Sequence, residues 1–286
     1  MIGSTLRLAV YQFAPELGRV EENARRIADA AASSGADLVL TPELSLTGYG
    51  IGDDAGALGI SLDAGGALPT ALRGSPDVVV GLVDLGQDGV PYNAAVHVRD
   101  GGVLFRHRKV YLPTYGMFDE GRFFGRGARV EAYEPGGGWR AAVLICEDFW
   151  HPALMYLAAI QGVHLLMIQA AAPGRGAWTG GADGSRFRTS EAWTRIAQTT
   201  AHIYGIYVAL ANRVGAEDGV VFGGDSLIVA PTGDVLARAP SEGEVVIQAE
   251  LSLAEVARAR RPFAHTRDED PRLVHRMLTE ILEGRP

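Results

Sequence analysis

The chain predicts a layered α/β fold with mixed sheets, and three observations support that class. Apolar runs of strand length alternate with helical patterns along most of the 286 residues. Several neighbouring strand patterns have no helix between them, which indicates antiparallel as well as parallel pairing. No Pro- or Ser-rich linker interrupts this alternation. We therefore predict a single domain over residues 1–286, with a C-terminal tail over about 258–286.

Strand and helix patterns follow one another in the first part of the chain. The helix pattern has apolar residues at helical spacing from Ala24 to Ala31, and Pro42 ends the second strand pattern. The turn Gln87-Asp88-Gly89 separates two adjacent strand patterns. The predicted elements are a strand over 6–13, a helix over 21–34, and strands over 36–41, 77–85, 92–99 and 103–109.

The second part begins with residues 111–127, whose aromatic, glycine and charged residues predict a loop. The segment Pro231-Thr232-Gly233-Asp234 predicts a turn between two later strands, and Gly136-Gly137-Gly138 predicts another turn. The remaining predicted elements are strands over 139–146, 164–169, 207–211, 226–230, 235–237 and 245–250, and helices over 152–161, 191–204, 253–260 and 270–282.

Composition excludes several classes of protein. The net charge is −8, from 26 basic and 34 acidic residues, which argues against a nucleic-acid or anionic-membrane surface. A single cysteine excludes an intramolecular disulfide framework and is typical of a reducing compartment. The N-terminus has no basic n-region, and no apolar run approaches the roughly 18 residues of a membrane span. We therefore expect a cytoplasmic protein without a signal peptide.

The single cysteine, Cys146, ends an apolar run and directly precedes charged and aromatic residues. Ligands bind at the carboxyl ends of strands in α/β proteins, so a thiol at this position can act as a nucleophile. A buried structural cysteine is the alternative, because free cysteines are often buried as small apolar residues. Exposure and pKa decide between these two interpretations.

Two other polar residues also follow strand patterns. Glu43 comes after the strand over 36–41, and Lys109 ends the strand over 103–109. Taken alone, each is most simply a solvated surface residue. Together with Cys146 they supply a base, a cation and a thiol, which is a set suited to acyl transfer if the three strand ends meet.

Three segments resemble the signature segments of the nitrilase superfamily, the carbon–nitrogen hydrolases. They are Thr41-Pro42-Glu43-Leu44, Arg108-Lys109-Val110-Tyr111-Leu112-Pro113 and Leu144-Ile145-Cys146-Glu147-Asp148, in the family's order and approximate separation. Later segments are also similar to the family: Asn212-Arg213-Val214-Gly215, Phe222-Gly223-Gly224-Asp225-Ser226 and Pro231-Thr232-Gly233-Asp234. The resemblance therefore covers nearly the whole chain.

The resemblance implies a role for each matching residue. Glu43 would be the general base, Lys109 the cation that stabilises the oxyanion, and Cys146 the nucleophile. Glu120 matches the family's second glutamate and would orient the lysine and the substrate. The backbone N–H of Glu147 would complete the oxyanion hole.

The resemblance also implies a fold and an assembly. The implied fold is the nitrilase-like four-layer α-β-β-α sandwich with mixed sheets, usually paired with a second subunit. Residues 260–263 and 268–273 resemble the family's tail, which often packs on the partner. A simple charged surface extension is the alternative for that tail. We therefore expect a homodimer or higher homo-oligomer.

Within the family, residues 112–120 and 146–150 look most like the glutaminase domain of glutamine-dependent NAD synthetases, and Tyr49 fits the same branch. Because the chain stops at Pro286, we expect the ATP-using synthetase domain to be missing. Gly121 also departs from the branch, which usually has a larger residue there.

Five aromatic residues are the expected substrate-binding residues. Tyr49, Tyr115, Phe118 and Trp150 lie in segments that resemble this branch. Trp178 lies in a glycine-rich stretch, where it either lines the pocket or caps a loop.

The function we expect is a free-standing, amidase-type hydrolase that forms a cysteine acyl-enzyme and releases ammonia or an amine. Its partner would be a small amide-type substrate, without nucleic acid or membrane. We expect no cofactor and no metal, because the seven histidines show no metal-ligand spacing. The alternatives are a glutaminase subunit that supplies a separate synthetase and, less favoured, a nitrilase, an N-carbamoyl amine hydrolase or a non-catalytic interaction protein.

Overall fold

The computed structural model describes residues 4–176, 187–262 and 265–284, and most of their strands belong to two six-stranded sheets. In chain order the strands are β1 (Thr5–Gln12), β2 (Leu38–Leu40), β3 (Asp77–Leu85), β4 (Pro91–Arg99), β5 (Gly102–Arg108), β6 (Tyr133–Gly136), β7 (Trp139–Ile145), β8 (Leu165–Ala170), β9 (Tyr207–Asn212), β10 (Ala216–Glu217), β11 (Val220–Val221), β12 (Leu227–Val229), β13 (Val235–Arg238) and β14 (Val245–Ser252).

The helices lie between and after these strands. They are α1 (Val20–Ser34), α2 (Ala55–Leu58), α3 (Glu120–Phe123), α4 (Pro152–Ile160), α5 (Arg188–Tyr204), α6 (Leu253–Arg260), α7 (His265–Asp268) and α8 (Pro271–Leu282). Short 3₁₀ turns occur at 52–54, 62–64, 70–72 and 146–150.

Both large sheets are mixed, as the sequence predicted. The first has the order β14-β1-β2-β3-β4-β5, with parallel pairs around β2 and antiparallel pairs on either side of them. The second has the order β13-β12-β9-β8-β7-β6, with β7, β8 and β9 parallel. Strands β10 and β11 form a separate hairpin.

Side-chain alternation on the strands shows how the layers stack. Leu8 and Leu38 of the first sheet join one core cluster with the strands of the second sheet. Their neighbours Ala9 and Val39 belong to a different cluster, with the buried face of α1. Helices α4 and α5 contribute to the first cluster from the opposite side. The order of layers is therefore helix, sheet, sheet, helix, which confirms the α-β-β-α sandwich.

The structure corrects several sequence-based boundaries. The predicted strand over 139–146 ends at Ile145, because Cys146 has a φ of +45° and starts a 3₁₀ turn. The predicted loop over 111–127 contains the one-turn helix α3. The sequence also missed the short strands β6, β10 and β11, which have too few residues to show a period of two.

The predicted tail helix over 270–282 is confirmed as α8, and Asp270 caps it by accepting the N–H groups of Arg272 and Leu273. Its apolar side chains are 40–78% exposed: Leu273, Val274, Met277, Leu278, Ile281 and Leu282. Among the described residues, every helix is too short or too polar to cross a bilayer.

Candidate active site

Three of the predicted catalytic side chains meet in a buried ion cluster. Lys109 follows β5, Glu43 follows β2, and Glu120 begins α3. The Lys109 Nζ atom lies 2.7 Å from Glu43 Oε1 and 2.7 Å from Glu120 Oε1. All three side chains are buried. The structure therefore brings Glu43, Lys109 and Glu120 together.

Glu43 is held by three donors. Its Oε1 atom accepts Lys109 Nζ and the Asn93 side-chain amide (2.8 Å), and its Oε2 atom accepts the backbone N–H of Ala171 (2.9 Å). The backbone on either side of Glu43 crosses β3 at Gly81, where a Cβ atom would lie 2.3 Å from the nitrogen of Leu44. Only glycine allows this close approach, so the contact with β3 sets the position of the backbone that carries the Glu43 carboxylate.

Cys146 occupies a sharp turn at the end of β7. Its left-handed φ of +45° is uncommon for a non-glycine residue and is typical of strained functional positions. Burial raises the pKa of the Cys146 thiol well above its usual value, and the charge of Glu43 raises it further, while Lys109 and the Ala171 N–H act in the opposite direction. The resting group is therefore a neutral thiol close to a carboxylate.

Asp148 ties the nucleophile turn to the lysine strand. Its Oδ2 atom accepts the N–H of Ile145 (3.1 Å), directly before Cys146. Its Oδ1 atom accepts the N–H groups of Val110 (3.0 Å) and Tyr111 (2.8 Å), directly after Lys109. A buried His107 also lies 3.0 Å from Oδ2 through its Nε2 atom. One carboxylate thus sets the relative position of the thiol and the ammonium.

The charges of the cluster are unbalanced. Burial raises the pKa of Glu120 to about 7, although Lys109 and the hydroxyl of Tyr49 act to lower it. Burial opposes the ammonium of Lys109, but Glu120 and Glu43 outweigh it and raise its pKa well above the ordinary value. Glu120 Oε1 accepts both Lys109 Nζ and the Tyr49 hydroxyl, whereas Oε2 is buried without a hydrogen-bond partner among the described residues. This free oxygen is a ready acceptor for a ligand N–H.

The predicted substrate-binding aromatics are divided between the cluster and its surroundings. Tyr49 and Phe118 line a cavity of about 340 Å³ that also touches Glu120, and their rings are 6.3 Å apart. Tyr115 is 56% exposed, and its hydroxyl donates to the Glu147 carboxylate (2.7 Å). Cys146, Glu43 and Lys109 are not among the described lining residues of this cavity.

Trp150 does not join this group. Trp150 is 42% exposed and packs edge-on against Trp193 of α5, with ring centroids 5.3 Å apart. It does not line the cavity beside Glu120. Trp178 lies outside the described residues, so its predicted role stays a prediction.

Several residues of the site could not be recognised from the sequence. Asn93 lies inside a regular strand pattern, and its contact with Glu43 depends on sheet order. Glu217 lies on the unpredicted strand β10 and accepts the backbone N–H groups of Tyr49 and Gly50. Asp148 was visible as part of the cysteine segment, but its four contacts were not.

The described ranges contain no group of three or more His, Cys, Asp or Glu side chains arranged to hold a metal ion. The candidate site combines the neutral thiol of Cys146, the carboxylate of Glu43, the buried ammonium of Lys109 and the free Oε2 atom of Glu120. Chemically, such a set can deprotonate the thiol, stabilise an oxyanion and accept an N–H group of a substrate.

Comparison with known proteins places this geometry in context. The model of the carbon–nitrogen hydrolase family matches residues 7–261. A glutamine-dependent NAD(+) synthetase from Thermotoga maritima is 31% identical over 261 residues, which cover 87% of this chain and 42% of that protein. The chain thus spans less than half the length of this relative and of similar synthetases.

Solved structures give the same picture. A mutant of the Nesterenkonia AN1 amidase, from the nitrilase superfamily, is 27% identical, with a TM-score of 0.71 over 94% of this chain and 99% of that one. A carbon–nitrogen hydrolase from Helicobacter pylori has a TM-score of 0.82 over 96% of this chain and 98% of that one. At 22% identity, the second similarity supports the fold alone.

Proposed function

Since the chain belongs to the carbon–nitrogen hydrolase family and is a hydrolase of carbon–nitrogen bonds, we propose that it is an amidase that works through a Cys146 acyl-enzyme. The observation that carries this proposal is the buried Glu43–Lys109–Glu120 cluster, whose electrostatic influence reaches the thiol of Cys146. The substrate would be a small amide-type molecule.

In the acylation step, Glu43 takes the proton of the Cys146 thiol as the sulfur attacks the amide carbon. A neutral resting thiol requires such a base, because burial disfavours the thiolate before substrate binds. Lys109 and, by the family resemblance, the backbone N–H of Glu147 stabilise the oxyanion. The free Oε2 atom of Glu120 accepts a substrate N–H.

In the second half of the reaction, protonated Glu43 gives its proton to the leaving nitrogen, and ammonia or an amine departs. A thioester remains on Cys146. Glu43 then takes a proton from water, the hydroxide adds to the thioester carbonyl, and the carbon–sulfur bond breaks. The carboxylic acid leaves, and the sulfur regains a proton. These steps balance with residues of this chain and water alone.

A glutaminase that supplies ammonia to a separate synthetase is the second candidate. It is supported by the similarity to glutamine-dependent NAD(+) synthetases over 80–89% of the chain. Both candidates share the acyl-enzyme chemistry and differ in the substrate and in the acceptor of ammonia. Glutamine hydrolysis that increases when a synthetase is added would favour this second candidate.

We also propose a homodimer in a reducing, cytoplasmic environment. Apolar side chains on the outer helices support a partner surface: Leu157 and Ile160 of α4, Ile203 of α5, and the apolar side of α8 are all more than a third exposed. The single thiol must stay reduced to act as a nucleophile. Sedimentation equilibrium tests the assembly, and a monomer at micromolar concentration would contradict it.

The first experiment measures ammonia release from aliphatic amides, glutamine, N-carbamoyl amines and nitriles. Cys146→Ala and Cys146→Ser serve as matched variants, with circular dichroism to check the fold. We expect release from one class, absent in both variants, and a thioester adduct on Cys146 by mass spectrometry. Turnover that persists in folded Cys146→Ala would rule out the proposed nucleophile.

A further inference from the structure

A second buried ion pair lies beside the cavity that touches Glu120, and its carboxylate, that of Glu217, is among the lining residues. Arg213 follows β9, and Glu217 lies on the β10–β11 hairpin. Their side chains are 1% and 9% exposed, and Arg213 Nη1 donates to Glu217 Oε2 at 2.9 Å. Burial lowers the pKa of Arg213, and its Nε atom has no described hydrogen-bond partner. Burying such a pair is costly, so stability alone explains it poorly.

The other oxygen of Glu217 reaches the substrate side of the molecule. Glu217 Oε1 accepts the backbone N–H groups of Tyr49 (3.1 Å) and Gly50 (2.6 Å). The turn at 48–50 lies so close to the hairpin that a Cβ atom on Gly48 would be 3.0 Å from Glu217 Oε2. The carboxylate therefore fixes the backbone from which the Tyr49 side chain extends.

Tyr49 carries that restraint to the catalytic cluster. Its hydroxyl donates to Glu120 Oε1, the same oxygen that accepts Lys109 Nζ. Its ring is also 6.1 Å from that of Phe222, over which the Arg213 guanidinium lies at 4.1 Å. A continuous path of contacts thus runs from Arg213 through Glu217 and Tyr49 to Glu120.

From this path we infer that Glu217, held by Arg213, is a positioning residue: it orients Tyr49 so that Glu120 Oε1 is bound to Tyr49 and Lys109 while Glu120 Oε2 stays free for the substrate. The inference rests on the proposed function for its meaning in catalysis. Glu217 has no described hydrogen bond or ion pair with Lys109 or Glu120, and it positions Glu120 through Tyr49.

The matched experiment compares Glu217→Gln with Asp37→Asn. Asp37 is a suitable control because its carboxylate also accepts a backbone N–H and a guanidinium, both from Arg7, at the opposite end of β2 from Glu43. We expect Glu217→Gln to lower kcat/KM for the best amide by about tenfold. Asp37→Asn should leave it unchanged.

The pH profile provides a readout that a purely structural role would not move. The charged or titratable groups that face Glu120 are Lys109, Glu43, Tyr49 and Cys146. Weakening the Tyr49 hydrogen bond should move the acid limb of kcat/KM upward by about 0.5–1 pH unit. The through-space effect of losing the Glu217 charge is downward, so an upward shift reports the hydrogen bond.

Alkylation provides the same readout without turnover. Cys146 is the single cysteine, so the rate of its modification by iodoacetamide reports on the site directly. The ionisation of Glu120, whose pKa is about 7, changes the charge beside the thiol and therefore the alkylation rate, and this inflection should move upward in Glu217→Gln. In a Tyr49→Phe background, adding Glu217→Gln should produce no further upward shift, because the path is already broken.

Each outcome is decisive. If Glu217→Gln matches Asp37→Asn in both profiles, or if its upward shift persists in the Tyr49→Phe background, the inference is wrong. If Glu217→Gln does not fold, Arg213→Lys replaces it and should give a smaller upward shift; no shift would overturn the inference. Absence of amide turnover in the wild type would contradict the proposed function, while the alkylation profile would still test the positioning role.

Discussion

Two charge clusters, one buried and one half-buried, lie toward opposite ends of strand β4, about 13–20 Å apart along the strand. At the Asn93 end, one cation faces two carboxylates, those of Glu43 and Glu120. At the other end, one carboxylate, Asp77, faces two basic side chains. Asp77 Oδ2 lies 3.1 Å from His97 Nε2 and 2.8 Å from Arg99 Nε, and Tyr133 lies 2.8 Å from the other nitrogen of His97.

The two ends differ in how completely their polar groups are satisfied. Burial alone would raise the pKa of Asp77, but hydrogen bonds from His97 and Arg99 outweigh it and lower that pKa. The pKa of Glu120 is instead raised to about 7, mainly by burial, and its Oε2 atom lacks a described partner. A cluster that joins the layers can satisfy every charge, whereas a cluster that binds substrate keeps one group unsatisfied.

The largest effect is expected from removing the shared cation. Lys109→Met should lower kcat/KM by at least about 10³, since it deletes an oxyanion donor and leaves two buried carboxylates together. The same change should cost about 3–5 kcal/mol in unfolding free energy at pH 8. Steady-state kinetics and urea unfolding measure both. A variant that retains a tenth of wild-type activity would show that the cation does not act in the transition state.

Glu120→Gln separates function from stability at the same end. It should lower kcat/KM by roughly 10², because the amide group presents a donor in place of one carboxylate acceptor. Its unfolding free energy at pH 8 should equal or exceed that of the wild type, since a buried and incompletely paired charge is removed. A clear loss of unfolding free energy in Glu120→Gln at pH 8 would show that this carboxylate stabilises the fold, as Asp77 is expected to do.

Asp77→Asn should show the opposite behaviour at the far end. Losing charge-assisted hydrogen bonds to His97 and Arg99 should lower the unfolding free energy by about 2 kcal/mol. We expect kcat/KM within about twofold of wild type, because the cluster is remote from the thiol. Denaturant titration and kinetics of one preparation test both. A tenfold loss of activity would show that the Asp77 cluster affects the catalytic cluster and would contradict the prediction.

The pH dependence of stability should also differ between the two ends. The folded pKa of Glu120, about 7, lies above its unfolded value, so its ionisation costs stability as pH rises from about 4.5 to about 7. The unfolding free energy of Glu120→Gln relative to that of the wild type should therefore increase as the pH rises from about 4.5 to about 7. The folded pKa of Asp77 is lowered, so its contribution is present above about pH 4 and lost below.

Urea titrations at several pH values measure these differences. The deficit of Asp77→Asn relative to wild type should narrow as the pH falls below about 4. Parallel pH curves for wild type and both variants would contradict the assigned directions.

Local patterns were sufficient to predict much of this fold. Strand β3 has the predicted bounds, and α1 differs by one residue, because long alternating or amphipathic runs carry their own period. The short α3 was missed because one helical turn has no period to detect. The left-handed φ of Cys146 was also not predictable, since it depends on the contacts that surround the turn.

The site was predictable only where a motif marks it. Glu43, Lys109 and Glu120 lie in segments that resemble family signatures, and the structure places them in contact. Asn93 and Glu217 carry no local signal, because their roles arise when sheet order brings distant segments together. Trp150 resembled a site segment, yet its side chain packs on Trp193.

Gly81 has a consequence for engineering. The backbone next to Glu43 passes so close to Gly81 that a side chain at Gly81 would collide with it. Every amino-acid replacement at Gly81 adds at least a methyl group, so saturation mutagenesis there should yield no functional replacement. Libraries aimed at altered specificity are better directed to Phe118 and Val220, which line the cavity beside Glu120 and leave the base, Glu43, in its place.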